Sequence, residues 1–459
     1  MSDRKPKNLS RRKVLKGAAA GAVILGAPNF YIKNAWAQNA IGNFPARTEG
    51  PTVKFGFNVP LTGAYAEEGA DQLRAYQLAV KHINEGGGML ETLKPLALKG
   101  NGILGKKVEY VSGDSQTNPD AARQVSQRMI ERDGVIMYSG GSSSAVAIAQ
   151  QYLAQERGVI FMCGLTHSND TTGKDRRRYG FRQFFNAYMS GQALGPVIAE
   201  RYGKDRRAFH LTADYTWGHT QYESIKEATE KQGWTTVNNI MTPLGAPDFS
   251  QFLTAVINSE ADLLVLNHYG NDMVNSLTQA VQFGIRDMQK DGRNIEVVVP
   301  LYSRLMASGA GDNITGVLGT TNWSYKLENP GTKAFVTAFE AEYGAPPSQA
   351  AHTGYVQAVL YANAVETAGT FYPPEVIKAL EDFEYDGAGY DSPSLYRAAD
   401  HQSFHDVFVV EGKAPSERDS EYDLLKTLKT VPRAEVTYEP DIAAFGGPDA
   451  DLGPYEPAA

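Results

Sequence analysis

The sequence predicts an α/β protein of two lobes, each a mostly parallel sheet flanked by helices. Three observations carry this expectation. Short apolar runs of strand length alternate with segments of helical period, the pattern of right-handed βαβ units. The alternation comes in two series, separated by the polar and aromatic stretch Thr166–Met189. The length of 459 residues, 42% hydrophobic and 21% charged, suits two cores and argues against wholesale disorder.

The N-terminus reads as a processing signal. Ser10–Lys16 is basic, Gly17–Ala27 is apolar, and Ala35-Trp36-Ala37 has the small residues of a signal-peptidase site. The apolar core is too short to span a bilayer comfortably. Arg11-Arg12 resembles a twin-arginine export signal, with Val14 where that pattern usually carries Phe. Residues 1–37 are therefore expected to be cleaved near Ala37, leaving a soluble, acidic protein in a bacterial periplasm. No Cys follows the apolar core, so a lipoprotein is excluded. The single Cys163 rules out an intrachain disulfide or a Cys-based zinc site and reads as a buried small hydrophobe.

Each element of the mature chain has its own signal. Val53–Val59 is a strand broken by Pro60-Leu61-Thr62-Gly63. Ala70–Asn84 places Leu73, Tyr76, Val80 and Ile83 on one helical face and stops at Gly86-Gly87-Gly88. Strand Lys107–Val111 leads to helix Asp120–Arg132, and strand Val135–Met137 to helix Ala145–Ala154. Strand Val159–Cys163 closes the first series. Strands Ala208–Thr212, Thr235–Met241 and Leu263–Asn267 precede helices Gln221–Gln232, Phe249–Ser259 and Asp272–Phe283, and strand Ile295–Leu301 ends the second. Helices Asn329–Tyr343, Gln349–Thr367 and Pro374–Asp382 follow Gly316–Thr321, and His405–Val410 is a last strand. Residues 414–459, rich in Pro, Gly, Asp and Glu, are expected as a peripheral C-terminal arm.

Formal net charge of -8 disfavours a nucleic-acid partner. The one basic cluster beyond the N-terminus, Arg176-Arg177-Arg178, reads as a solvated loop. There is no Walker A motif and no G-x-G-x-x-G after a strand. His401 and His405 are four apart but lack the glutamate of H-E-x-x-H, so ordinary hydrogen bonding is expected and no metal site. No cofactor is expected, and nothing makes an enzyme the leading reading.

The stretch Tyr138–Ser144 holds the best candidate site. A strand ends in Gly140-Gly141, serines follow, and a helix begins. Such a turn aims N–H groups and hydroxyls at one point beyond the sheet edge, where a carboxylate would bind. Taken alone it reads first as an ordinary β–α connection with capping serines. Ser144 stands where a G-x-S-x-G elbow needs its second glycine, so a catalytic serine is not expected.

From about Val53 to about Gly412 the chain resembles the periplasmic solute-binding proteins of ABC importers, in the branched-chain amino acid and amide branch of the type I fold. Phe55–Gly69 (FGFNVPLTGAYAEEG), Ala75–Gly88 (AYQLAVKHINEGGG), Asp114–Ala122 and Asp214–Gly218 (DYTWG) are similar to its motifs, in order and spacing. The resemblance implies two lobes joined by three crossovers: 52–186 with 325–385, and 187–324 with 386–413. It implies that Ser142, Ser143 and Ser144 hold the ligand carboxylate, with Ser144 the principal serine. Leu165, Thr166 and His167 fall on a second loop facing it. Trp217 and Tyr269 stand as aromatic walls, and Tyr302 lies near the loop that often carries an acid for a ligand amino group. No acid stands at Leu301–Tyr302, so Glu68, Asp214 or Asp272 would have to serve; Glu68 replaces a frequent aromatic. The cleft loops also carry Phe184, Phe185, Tyr188, Tyr215 and His268.

The expected function is capture of a small polar solute (an amino acid, amide or related carboxylate) by lobe closure, and its delivery to a cognate inner-membrane ABC permease by a monomeric protein. An aromatic acid or a cationic solute is the alternative ligand. A periplasmic sensor or partner protein, suggested by the acidic arm, is the alternative role.

Overall fold

In the structure, a computed structural model, the described residues are 44–447 and 449–456. The expected signal at 1–37 and its cleavage point lie outside them. Strand β1 (Thr52–Val59) is the centre of the first lobe. Helix α1 (Ala66–Glu85) follows it, then β2 (Lys107–Asp114), α2 (Pro119–Arg128), β3 (Met137–Gly140), α3 (Ser144–Arg157), β4 (Ile160–Cys163) and β5 (Gly180–Arg182). The five strands form one sheet in the order β2-β1-β3-β4-β5, every pair parallel, as βαβ units require.

The chain then crosses to the second lobe. Helix α4 (Ala187–Tyr202) leads to β6 (Arg207–Ala213), α5 (Thr216–Glu230), β7 (Thr235–Thr242), α6 (Ser250–Asn258), β8 (Leu263–Asn267) and α7 (Asn271–Gln282). A small hairpin, β9 (Gln289–Lys290) and β10 (Arg293–Asn294), precedes β11 (Glu296–Leu301), α8 (Arg304–Ala310) and β12 (Leu318–Thr321). A second crossing brings α9 (Pro330–Tyr343), α10 (Gln349–Ala368) and α11 (Pro373–Leu380) back to the first lobe, where α10 lies along α1. The small antiparallel sheet β13 (Phe383–Tyr385), β14 (Ser394–Tyr396) and β15 (Ser403–Phe404) stays there, bridged to it at Lys94–Asp386 and Arg182–Gln402. Between β15, which ends at Phe404, and the next strand, which begins at Val407, the chain passes from this small sheet to the second large sheet. Short antiparallel strands interrupted by Gly387, Gly389 and Pro393 carry no long-range period to mark them.

After that crossing, β16 (Val407–Gly412) runs antiparallel beside β12, and β17 (Leu425–Val431) antiparallel beside β16. The second sheet is seven-stranded, β17-β16-β12-β11-β8-β6-β7. The described residues after 413 are therefore built into the fold. Helix α12 (Arg433–Val436) leads into a stretch in which Tyr438, Phe445 and Leu452 are buried. The Arg176–Arg178 cluster is not a solvated loop either. Arg176 donates to the carbonyls of Pro440 and Ala450, and Arg178 to that of Gly453, so the guanidinium groups satisfy backbone acceptors of a segment too irregular to pair its own.

Helix α4 had no sequence expectation because Pro196, Gly191 and Gly195 break its period. Gly191 serves close packing: a Cβ there would lie 2.7 Å from the Ser224 carbonyl of α5. Cys163 is buried and free, its thiol pushed up to about 11 by burial. No helix among the described residues is long and apolar enough to cross a membrane.

Candidate functional site

Parallel strands deliver their C-terminal ends to one edge of a sheet, and the loops there are free to bind ligands. Here β1, β3 and β4 of the first lobe present such loops to those after β6, β8 and β11 of the second. Strand β3 ends at Gly140 (φ 132°) and Gly141 (φ 81°). A Cβ on Gly140 would sit 1.9 Å from the Asn58 carbonyl of β1, so only glycine lets the turn close against its neighbour. Helix α3 begins at Ser144, yet the N-cap residue Ser143 makes no side-chain cap bond. The serines expected as caps are therefore not spent as caps.

Ser142, Ser143 and Ser144 are all buried. Ser142 Oγ has no hydrogen-bond partner. Ser144 Oγ accepts from the Ser168 N–H at 3.1 Å, which leaves its own proton to donate. On the loop after β4, Thr166 Oγ1 donates to the Gly141 carbonyl at 2.9 Å, tying the two loops together. Leu165 is buried and apolar. His167 donates through Nδ1 to the Phe185 carbonyl at 2.8 Å, and its Nε2 has no partner. Burial holds this imidazole well below its ordinary pKa, so it is neutral and its Nε2 can only accept.

Helix α1 turns Glu68 and Gln72, one turn apart, to the same side. Both are buried, and neither end of the Gln72 amide has a partner. Burial pushes the Glu68 carboxyl up to about 7 against the opposing bond from its own N–H, and Glu67 and Asp71 push the same way. Its polar neighbours across the cleft are Ser303, which begins the turn into α8, and Tyr269, after β8. The other two acids do not reach in. Asp272 accepts from the Gly245 N–H at 3.0 Å, and Asp214 is solvent-exposed beside His219.

A file of rings crosses between the lobes. Tyr65 and Tyr269 lie 5.4 Å apart, Tyr269 and Trp217 6.3 Å, Trp217 and His167 6.4 Å, and His167 and Phe185 4.3 Å. Trp217 Nε1 and the Tyr269 hydroxyl are buried without partners. The other rings part company with this file. Tyr302 packs its ring on Gly319 of β12, and its neighbour Ser303 caps α8 by accepting from the Met306 N–H at 3.1 Å. Tyr188 packs on Tyr438 and Phe445, and His268 bonds Thr242 and Ser276 inside the second lobe.

The lobes touch around this chamber. Asn271 N–H donates to the Ala64 carbonyl at 3.1 Å, the Tyr65 and Tyr215 hydroxyls bond at 2.6 Å, and Thr216 Oγ1 donates to Asp170 at 2.7 Å. Asn169 Nδ2 donates to Ser224 Oγ at 3.0 Å. Gln221 of α5 adds a buried amide with neither end partnered. Sequence reasoning missed Tyr65, Gln72, Gln221 and Ser303. The helical period of α1 could have signalled Gln72, since it shares a face with Glu68; the others depend on how the lobes meet.

The chamber is thus walled by rings and lined by neutral donors and acceptors, with one carboxyl. It offers no nucleophile–base pair. Among the described residues no group of three or more His, Cys, Asp or Glu could hold a metal. His401 bonds the Gly180 carbonyl and Glu381, and His405 the Asp406 and Gln183 carbonyls.

A family model described as "Periplasmic binding protein" matches residues 52–418. The chain is 27% identical over 344 residues to a Leu/Ile/Val-binding protein homolog of Brucella abortus, covering 72% of this chain and 80% of that one. It shares its fold with an amino acid ABC transporter substrate-binding protein of Pseudomonas fluorescens, with a TM-score of 0.74 at 23% identity, over 88% of this chain and 99% of that one. A Rhodopseudomonas palustris ABC transporter solute-binding protein in complex with 3,4-dihydroxybenzoic acid gives a TM-score of 0.70 at 22% identity, over 84% and 98%.

Proposed function

The chain belongs to the periplasmic binding protein family, whose members bind solutes rather than transform them, and on that premise we propose that it is the solute-capturing component of an ABC importer. It works in the periplasm as a monomer, exported on the signal ending near Ala37. A small polar solute enters between the lobes, the lobes close over it, and the closed form docks on its inner-membrane permease. The ligand contributes its differential affinity for the closed state.

The observation that carries this reading is the group of buried polar atoms without partners around one inter-lobe chamber: Ser142 Oγ, both ends of the Gln72 amide, His167 Nε2, Trp217 Nε1 and the Tyr269 hydroxyl. Buried polar groups are normally satisfied, and a polar solute would satisfy these. Ser142, Ser144 and Gln72 would take its carboxylate or amide head, and Trp217 and Tyr269 its body. The ring file supports a second ligand, an aromatic carboxylate, in the same place.

A thermal-shift screen of the mature protein against amino acids, amides, aromatic acids and cationic solutes tests the reading. A ligand at 100 times its Kd adds about 2.7 kcal/mol to the folded state. Ser144→Ala is expected to weaken the responding ligand by about 1–3 kcal/mol. If no small solute raises the melting temperature, the receptor reading fails; unchanged affinity in the variant removes Ser144 from the site.

A further inference from the structure

We propose that the described residues from Pro432 to Glu456 form a strap, rooted in the second lobe and anchored on the first, that restrains the hinge between them. This stretch lies beyond the residues matched by the family model. Its root is firm. Strand β17 pairs along β16 in the second sheet, and the Arg433 N–H that follows donates to Asp406 at 3.0 Å. Helix α12 packs against α4 of the same lobe.

The far end is held by the first lobe. Gln155 of α3 donates to the Pro454 carbonyl at 3.0 Å. Just before β5, the Arg178 N–H and Nε donate to the Leu452 and Gly453 carbonyls at 2.5 and 3.1 Å. The Arg178 guanidinium lies 4.4 Å from the centre of the Tyr455 ring, and the Tyr455 hydroxyl donates at 2.5 Å to Glu381, the carboxylate that Arg178 also pairs with at 2.7 Å. Glu381 directly follows α11, so three separate parts of the first lobe grip this end.

Between root and anchor, the strap lies on the hinge. The buried Tyr438 accepts at its hydroxyl from Asn186 Nδ2 at 2.7 Å, where the chain leaves β5 for α4. Its ring lies 5.1 Å from Phe404, where the chain leaves β15 for β16, and 5.3 Å from Tyr188 of α4. Phe445 stacks on it at 3.9 Å and belongs to a turn packed on residues 169–172 of the first lobe. Tyr438 therefore touches two of the connections through which the chain passes between the lobes. Hinge motion is absorbed by a few residues in such connections. Wide opening must pull Tyr438 from Asn186 and Phe404, or lift the far end from Arg178 and Gln155. Either loss gives up buried apolar surface and hydrogen bonds, so the seated strap opposes opening.

The test needs no ligand. Hydrogen exchange of the unaltered mature protein is expected to show amides 438–447 protected like those of β17. Exchange of 438–447 at the rate of an unstructured chain overturns the strap, whatever the variants do. Arg178→Ala loosens the far end and Phe445→Ala the middle. Both are expected to enlarge the radius of gyration in small-angle scattering. Both should also speed exchange at amides 183–187 and 404–407 at least about threefold beyond any change in β1 and β8. Tyr438→Phe keeps the ring and removes only the Asn186 bond; it is read in the same two ways and decides the matter if the other variants do not fold. Variants that lose stability, yet keep the unaltered radius of gyration and the unaltered exchange in both connections, overturn the proposal: the segment then packs on the lobes without restraining them.

Discussion

At the scale of the residue, Glu68 is a buried carboxyl, and its burial has a consequence for stability. A carboxyl raised from 4.5 to about 7 binds its proton more tightly folded than unfolded. Stability is therefore unaffected below pH 4, falls as pH rises between about 4.5 and 7, and stays lowered above that window. The loss is about 3 kcal/mol in order of magnitude. Glu68→Gln should raise the unfolding free energy of the ligand-free protein by about that amount at pH 8 and leave it unchanged at pH 4, as urea titrations at the two pH values would show. The serines behave differently. Ser142–Ser144 were legible in the sequence because strand, glycine turn and helix are local. That Ser143 leaves α3 uncapped, and that Ser144 bonds Ser168, were not, because those facts depend on a neighbouring loop.

At the scale of the element, the stretch after Gly412 shows what periodicity reads and what it misses. Strand β17 alternates Lys426, Thr427, Leu428, Lys429 and Thr430 on an exposed sheet edge, with little apolar signal. It forms because β16 offers an unpaired edge. Beyond it, Phe445 stacks on Tyr438 with centroids 3.9 Å apart and is buried. Phe445→Ala should cost about 3–5 kcal/mol in a denaturant melt. A loss below about 1 kcal/mol would show that this segment is a loose appendage. The long helices and parallel strands were legible for the opposite reason: each buries one face against its own sheet, so its pattern is written in its own residues.

At the scale of the molecule, the lobes meet through packed rings and through a few polar bonds. The Tyr65–Tyr215 hydroxyl pair is one of them. Tyr215→Phe removes it while keeping the ring. Affinity for the solute should fall about two- to tenfold through a smaller closed fraction, and small-angle scattering of the ligand-free variant should show a larger radius of gyration. Unchanged scattering and affinity would mean that this contact does not bias closure.

By itself the sequence determined the two α/β series, the mostly parallel order of their strands and the glycine–serine turn. These follow from local propensity and period, which a residue carries wherever it stands. Only the tertiary structure decided that Glu68 is buried without an ion-pair partner, that Tyr188 packs on the C-terminal segment, and that Arg176 and Arg178 anchor it. Each of these depends on desolvation and on partners brought together from distant parts of the chain, and neither is encoded in the spacing of neighbouring residues.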